Sequence, residues 1–127
     1  MRIFKTKWFS KFAKSNWIND ADLVDAIERA ERGLVDADLG GGVIKQRIAR
    51  TGEGKSGGYR SIILLKREER AFFVYGFAKN ERQSIRPDEL QAFRDLAIDY
   101  FAYSSEGLLL AKEKLEIAEI GTNEKNI

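Results

Sequence analysis

The chain has 127 residues, 43% hydrophobic and 33% charged, with eight Phe, four Tyr and two Trp; that length and composition predict one domain with a real core and exclude a disordered chain. It has no cysteine and no histidine, which excludes a disulfide framework and thiol chemistry and removes the usual physiological acid–base group and the commonest metal ligand. Net charge is only +2, yet residues 43–82 carry ten basic against four acidic side chains, whereas 1–42 balance at seven each and 83–127 lean acidic by nine to five. A basic middle fits an anionic partner, nucleic acid first, and equally a solvated basic face.

No apolar run approaches the roughly 20 residues of a membrane span. The opening stretch MRIFKTKWFSKFAK lacks a continuous apolar core and a small-residue cleavage site, so no signal peptide is expected. With no cysteine to oxidise, a cytoplasmic location is the expectation.

Arg2 to Lys5 suits a short first strand. Thr6 is placed to cap a helix with Trp8, Phe9, Phe12 and Ala13 on one side. A second helix is better marked: Asn19 or Asp20 caps it, Asp22 and Asp25 crowd its early turns, and Leu23, Val24, Ile27 and Ala30 form its apolar stripe. Asp25–Arg29 and Glu28–Arg32 are i,i+4 pairs of favourable orientation, and Gly33 closes the helix. Residues 36–42, DADLGGG, read as a turn. VIKQRIAR, Val43 to Arg50, reads as a strand, then a loop from Thr51 to Gly58, then a strand from Tyr59 to Lys66. After a turn at 67–70, AFFVYGFA, Ala71 to Ala78, is an apolar strand of the kind found inside a sheet, and its short connection makes an antiparallel hairpin. Pro87, the only proline, fits the first turn of a helix that runs to about Ser104 with Leu90, Phe93, Ala97, Tyr100 and Phe101 inward. A short helix over Ser105 to Glu113 and a strand-like LEIAEI, Leu115 to Ile120, follow. The expected architecture is α+β: two N-terminal helices packed on a small, mostly antiparallel sheet, followed by a C-terminal helix. The domain is expected to span 1–120, with 121–127 a flexible tail.

GKSGGYR, residues 54–60, has the look of a nucleotide loop. A phosphate-binding loop of that type needs a glycine five positions before the G-K pair, and a helix after it. The upstream position holds Ala49, and YRSIILLK, which follows, reads as a strand. Spacing and context both exclude the nucleotide reading.

The basic residues fall at particular places. Lys45 and Arg47, two apart on a strand, share a face. Lys55 lies in the glycine loop, Arg60 opens the next strand, and Lys79 and Arg82 follow the apolar strand. If these strands are neighbours, the cations converge at one edge. Gly57 and Gly58 would let a backbone approach a phosphate, and Arg60 has the fork geometry to grip one. Glycines that only make a turn and cations that only decorate a surface account for the same spacing.

Two stretches, GVIKQRIARTGEGKSGGYRSII and RAFFVYGFAKNER, closely resemble the RelE-like toxins of bacterial toxin–antitoxin pairs, in the HigB-type branch. The resemblance runs from about Phe4 to near Ser104 and is most specific in K-x-R, GKSGGYR and FxYGFAKNER. It implies a toxin that enters the ribosomal A site and cuts messenger RNA, the ribose 2′-hydroxyl attacking the adjacent phosphate to leave a 2′,3′-cyclic phosphate. It implies no metal or other cofactor, and a partner antitoxin, often of helix-turn-helix type. Lys45, Arg47 and Arg60 match the family's basic strand residues. At two places the chain departs from the pattern: Asn80 stands where the RelE branch proper has an arginine, and Ser84-Ile85-Arg86 offers no substrate-stacking tyrosine.

In-line attack needs a base, positive charge on the phosphate oxygens and an acid for the leaving oxygen. Without histidine, the base is a carboxylate or a lysine. A lysine serves only where neighbouring cations favour its neutral form, and Lys45 beside Arg47 offers that pairing; Glu81 is the rival, with an ion pair to a nearby arginine as its alternative role. Arg60 would stabilise the transition state, and Arg47, Lys55, Lys79 and Arg82 would hold phosphate or assist the leaving group. The same superfamily contains ParE-like poisons of DNA gyrase, which cut no RNA. An inactive module that only binds its antitoxin is a third possibility.

Overall fold

Residues 2–6 form a strand with Ile3 and Phe4 both buried, one in each core, and end on Thr6, whose hydroxyl accepts the Phe9 amide N–H at 3.2 Å and so starts a helix at once. The structure is a computed structural model that describes residues 1–50 and 54–121, with residue 50 and residues 54–57 described by backbone alone. Its elements are β1 (Arg2–Thr6), α1 (Lys7–Ser15), α2 (Asp20–Glu31), β2 (Ala37–Gly40), β3 (Val43–Arg50), β4 (Gly54–Lys66), β5 (Arg70–Ala78), α3 (Pro87–Ala102), α4 (Ser105–Glu113) and β6 (Ile117–Ile120). Asn19 and Asp22 cap α2 reciprocally, each side chain accepting the other's backbone N–H.

The strands form one sheet in the order β2-β3-β4-β5-β1-β6. β1 and β5 run parallel and every other neighbouring pair is antiparallel. This corrects the expected layout of two leading helices on a small, mostly antiparallel sheet with one closing helix. The class is α+β, but β1 precedes the helices and lies inside a mixed six-stranded sheet. Two helices and a strand, α3, α4 and β6, end the described chain. The reason is non-local: β1 and β6 are four or five residues long, and only their pairing across the chain makes them sheet strands. Two local readings are corrected as well. Ala37–Gly40, expected within a turn, is the edge strand β2, and residues 54–58, expected in a loop, already belong to β4. Residues 51–53 of that loop, and all of the expected flexible tail beyond Gly121, lie outside the described residues.

Helices cover both faces of the sheet. On one, Phe9, Ala13, Leu23, Ile27 and Ala30 of α1 and α2 pack on Ile44, Ile48, Ile63 and Phe73. On the other, Ala97 of α3 and Leu108 and Ala111 of α4 pack on Phe4, Val43, Leu64 and Phe72. The strand alternation serves two cores at once, which is why β4 and β5 read as unbroken apolar runs. Trp8, expected on one side of α1 with Phe9, Phe12 and Ala13, stacks on Phe12 and is 47% exposed. A bulge re-phases β5: Ile63 pairs with Phe73 but Ile62 with Tyr75, so Val74 is the extra residue. Tyr75 and Phe77 therefore join Phe72 on the α3 face, while Gly76 turns to α1, where a Cβ would collide with the Phe12 ring. Gly42, between β2 and β3, has φ +83, and a side chain there would lie 2.6 Å from Phe101; glycine satisfies both demands.

Candidate functional site: a cation cluster around Asp36

In β3, Val43 packs on the α3 face, and Ile44 and Ile48 on the α1–α2 face. Period two then puts Lys45 and Arg47 on the α3 face. The β3–β4 register sets Arg47 directly opposite Arg60, and the β4–β5 register sets Arg60 opposite Phe77. A row Arg47–Arg60–Phe77 thus crosses three neighbouring strands. Two like charges directly opposite on an antiparallel pair repel. The structure resolves this with an anion, Asp36. Its Oδ1 lies 3.2 Å from Arg47 Nε, and its Oδ2 lies 3.5 Å from Arg60 Nε and 3.7 Å from Lys45 Nζ.

Burial differs across the cluster. The Arg60 side chain is 7% exposed, Asp36 15%, Lys45 18% and Arg47 47%. A guanidinium as buried as Arg60 needs a nearby acceptor, and besides Asp36 it donates to the Tyr59 carbonyl at 3.4 Å. Arg47 is the member most open to solvent.

The backbone under the cluster is clamped. The Asp36 N–H donates to the Lys45 carbonyl at 3.1 Å and to Gln46 Oε1 at 3.3 Å. Gln46 is buried, and its Nε2 donates to the Ala26 and Leu34 carbonyls at 3.0 and 2.9 Å. Arg29 of α2, itself salt-bridged to Asp25, donates to the Arg47 carbonyl at 2.7 Å. One face of β3 is therefore tied to α2 while the other presents the cations.

Of the residues singled out from sequence, the structure brings Lys45, Arg47 and Arg60 together. Arg82 lies over the same face, 5.7 Å from the Tyr75 and Phe77 ring centroids, but its charge is engaged. It makes a bidentate pair with Glu89 of α3, and donates to the Tyr75 hydroxyl at 3.0 Å and the Ser84 carbonyl at 2.8 Å. Glu89 consequently titrates below the usual carboxylate range, chiefly through the Arg82 hydrogen bonds. Lys79 follows β5, its N–H on the Gly58 carbonyl at 3.3 Å, and Glu81 sits in the next turn. Both are exposed, and their side chains make no ion pair among the described residues, so the pairing of Glu81 with an arginine is not seen there. Lys55 is in β4, and its side chain lies outside the described residues. Tyr100 and Tyr103, the tyrosines next along the chain, stack on each other at 5.4 Å and pack on the α3-side core.

Sequence reading missed Asp36 and Gln46. D-A-D-L reads as part of a turn, and nothing local marks its first acid as the partner of cations that follow nine to 24 residues later. Among the described residues no group of three His, Cys, Asp or Glu is placed to hold a metal ion, and no helix is long and apolar enough to cross a membrane. A surface depression of about 850 Å³ lies elsewhere, lined by Ile3, Val24 and the acids Asp20, Asp25, Glu28 and Glu31. Its acidic lining does not suit a polyanion.

A search of curated proteins returned no match. Residues 1–120 match the model of the family described as the RelE toxin of the RelE / RelB toxin–antitoxin system. That span takes in every element described above, the cation cluster included, and the chain belongs to the RelE toxin family, whose membership implies a cognate antitoxin as partner.

Proposed function

We propose that the protein is a ribosome-dependent endoribonuclease of the HigB-type branch, acting in the cytoplasm on translated messenger RNA and held in check by a helix-turn-helix antitoxin. The observation that carries this reading is the convergence of Lys45, Arg47 and Arg60 on a single pair of anionic oxygens. Cations already aimed at one such pair are the arrangement that a phosphodiester in transition to a pentacoordinate state requires. In the reaction the 2′-oxygen forms a bond to phosphorus as its proton passes to a base, and the bond from phosphorus to the 5′-oxygen breaks as that oxygen takes up a proton. Lys45 is the proposed base, with Glu81 as the alternative. Arg60 and Arg47 neutralise the phosphoryl oxygens. Lys55, Lys79 and Arg82 hold the flanking phosphates or assist the leaving group, which for Arg82 requires release from Glu89.

The test is induced expression in a bacterium with 5′-end mapping of cellular messages, for the wild type and for Arg60→Ala. Cuts inside translated codons that disappear when translation is blocked are expected, and Arg60→Ala, folded by circular dichroism, is expected to lose cutting by about 10²-fold or more. Growth arrest with intact messages would replace this reading by a gyrase-type target. No arrest would leave an antitoxin-binding module without enzymatic activity.

A further inference from the structure

Asp36 has no part in the reaction as proposed, yet it is the centre of the site. Its two carboxylate oxygens are divided as the two non-bridging oxygens of a phosphodiester would be: one to Arg47 Nε at 3.2 Å, the other to Arg60 Nε at 3.5 Å and Lys45 Nζ at 3.7 Å. The seat is partly buried, and the cross-strand arginine pair beneath it repels unless an anion lies between the two. The carboxylate that supplies it hangs from the entry to β2, the edge strand, whose backbone is fixed by the Asp36 N–H bonds to the Lys45 carbonyl and Gln46 Oε1. Rotation about the Asp36 side-chain bonds alone would therefore uncover the cations, with no backbone hydrogen bond broken.

We infer that Asp36 is a built-in substitute for the substrate phosphate, a positioning residue that keeps Lys45, Arg47 and Arg60 assembled and neutralised until an RNA phosphate displaces its carboxylate. The inference takes its ligand from the ribonuclease reading, since the phosphate is that of RNA. It gives Asp36 a role in discrimination. An incoming group must outcompete a carboxylate already in place, so loosely aligned anions are rejected and a phosphate delivered in register is accepted. The cations are held to a common target, which fixes their side chains before substrate arrives. The cost falls on affinity, because part of the Coulomb attraction is spent internally.

The sign of one substitution separates this from a merely structural role. Asp36→Asn keeps the shape and removes the charge. Binding of a single-stranded hexanucleotide with 2′-O-methyl riboses, which cannot be cut by its own 2′-oxygen, is measured by fluorescence anisotropy over a range of salt. Asp36→Asn is expected to bind about tenfold more tightly at low ionic strength. Its slope of log affinity against log salt is expected to steepen by about 0.7, the value for one more phosphate neutralised on a single strand. Asp36→Glu, which keeps the charge, is expected to stay near the wild-type slope. If Asp36 only braced Arg60, Asp36→Asn would bind more weakly with an unchanged or shallower slope, and that result overturns the inference; so does a hexanucleotide that binds neither protein. Thermal unfolding of each variant confirms that a folded protein is compared, and should Asp36→Asn fail to fold, the slope of Asp36→Ser is read instead. The ribonuclease reading fails separately. Tighter binding by Asp36→Asn with no cleavage of cellular messages would uphold the phosphate seat and reject the enzyme.

Discussion

At the scale of single residues, the chemistry turns on how Lys45 and Arg60 differ although both point at Asp36. Arg60 is nearly enclosed and fixed by two acceptors, the Tyr59 carbonyl and Asp36. A group so held suits a preorganised charge at the phosphate, where little reorganisation is needed. Lys45 is somewhat more open and carries a flexible stem, so its Nζ can follow a proton. Lys45→Ala is therefore expected to cut messages about 10²–10⁴-fold more slowly while ribosome binding, measured by co-sedimentation, changes little. Equal losses in both measurements would make Lys45 a phosphate binder. Gln46 is the residue beneath: its amide spans Ala26, Leu34 and Asp36, so the cluster inherits the position of α2.

At the scale of elements, β5 decides which aromatic rings reach the site. Were β5 to alternate regularly through Val74, with no bulge, period two would send Tyr75 and Phe77 to the α1 side and bring Gly76 to the α3 face. With it, Phe77 stands beside Arg60, Tyr75 receives Arg82, and Gly76 faces α1. α1 takes advantage of that glycine: Phe12 lies against the Gly76 backbone, its neighbour Trp8 stacks on it at 5.5 Å, and Trp8 also stacks on Tyr75 at 4.7 Å. Gly76→Ala would drive a Cβ into the Phe12 ring. It is expected to cost about 1–3 kcal/mol of folding stability, read as a lower midpoint in urea with an unchanged slope. An unaltered midpoint would mean that α1 is loosely docked.

At the scale of the whole molecule, the two ends of the described chain are joined in the sheet: β1 pairs with β6 on one side and β5 on the other. An ion-pair group reinforces the joint. Glu119 accepts two hydrogen bonds from Arg2, at 2.9 and 3.0 Å, and one from Lys112 at 2.9 Å. These hold its carboxyl down at about 2 from an ordinary 4.5, the Arg2 hydrogen bond being the largest cause. Because the folded value is depressed, the stabilisation is fully present above the ordinary value and is lost as pH falls toward the folded one. Glu119→Gln is expected to be less stable at pH 7 by about 1–2 kcal/mol, allowing for solvent screening. The gap to wild type in urea titrations should shrink between about pH 5 and pH 2; a gap constant across that range would place the effect in packing.

The amino-acid sequence determined what neighbours along the chain can decide. Thr6 and Asn19 as caps, α2 with its stripe, the β4–β5 hairpin and Pro87 at the start of α3 are each set by groups within a few residues, through hydrogen bonds, periodicity and fixed dihedrals. The same local logic placed Lys45 and Arg47 on one face, and the residues of K-x-R and GKSGGYR carried the family. Tertiary structure alone decided which strands lie side by side. The place of β1 between β5 and β6 depends on partners 65 or more residues away, and β2 is a strand only because β3 offers it an edge. Asp36 was invisible for that reason. A carboxylate becomes the centre of a cation cluster through the register of Arg47 against Arg60, and register is fixed by burial on two faces of a sheet rather than by any spacing in one strand.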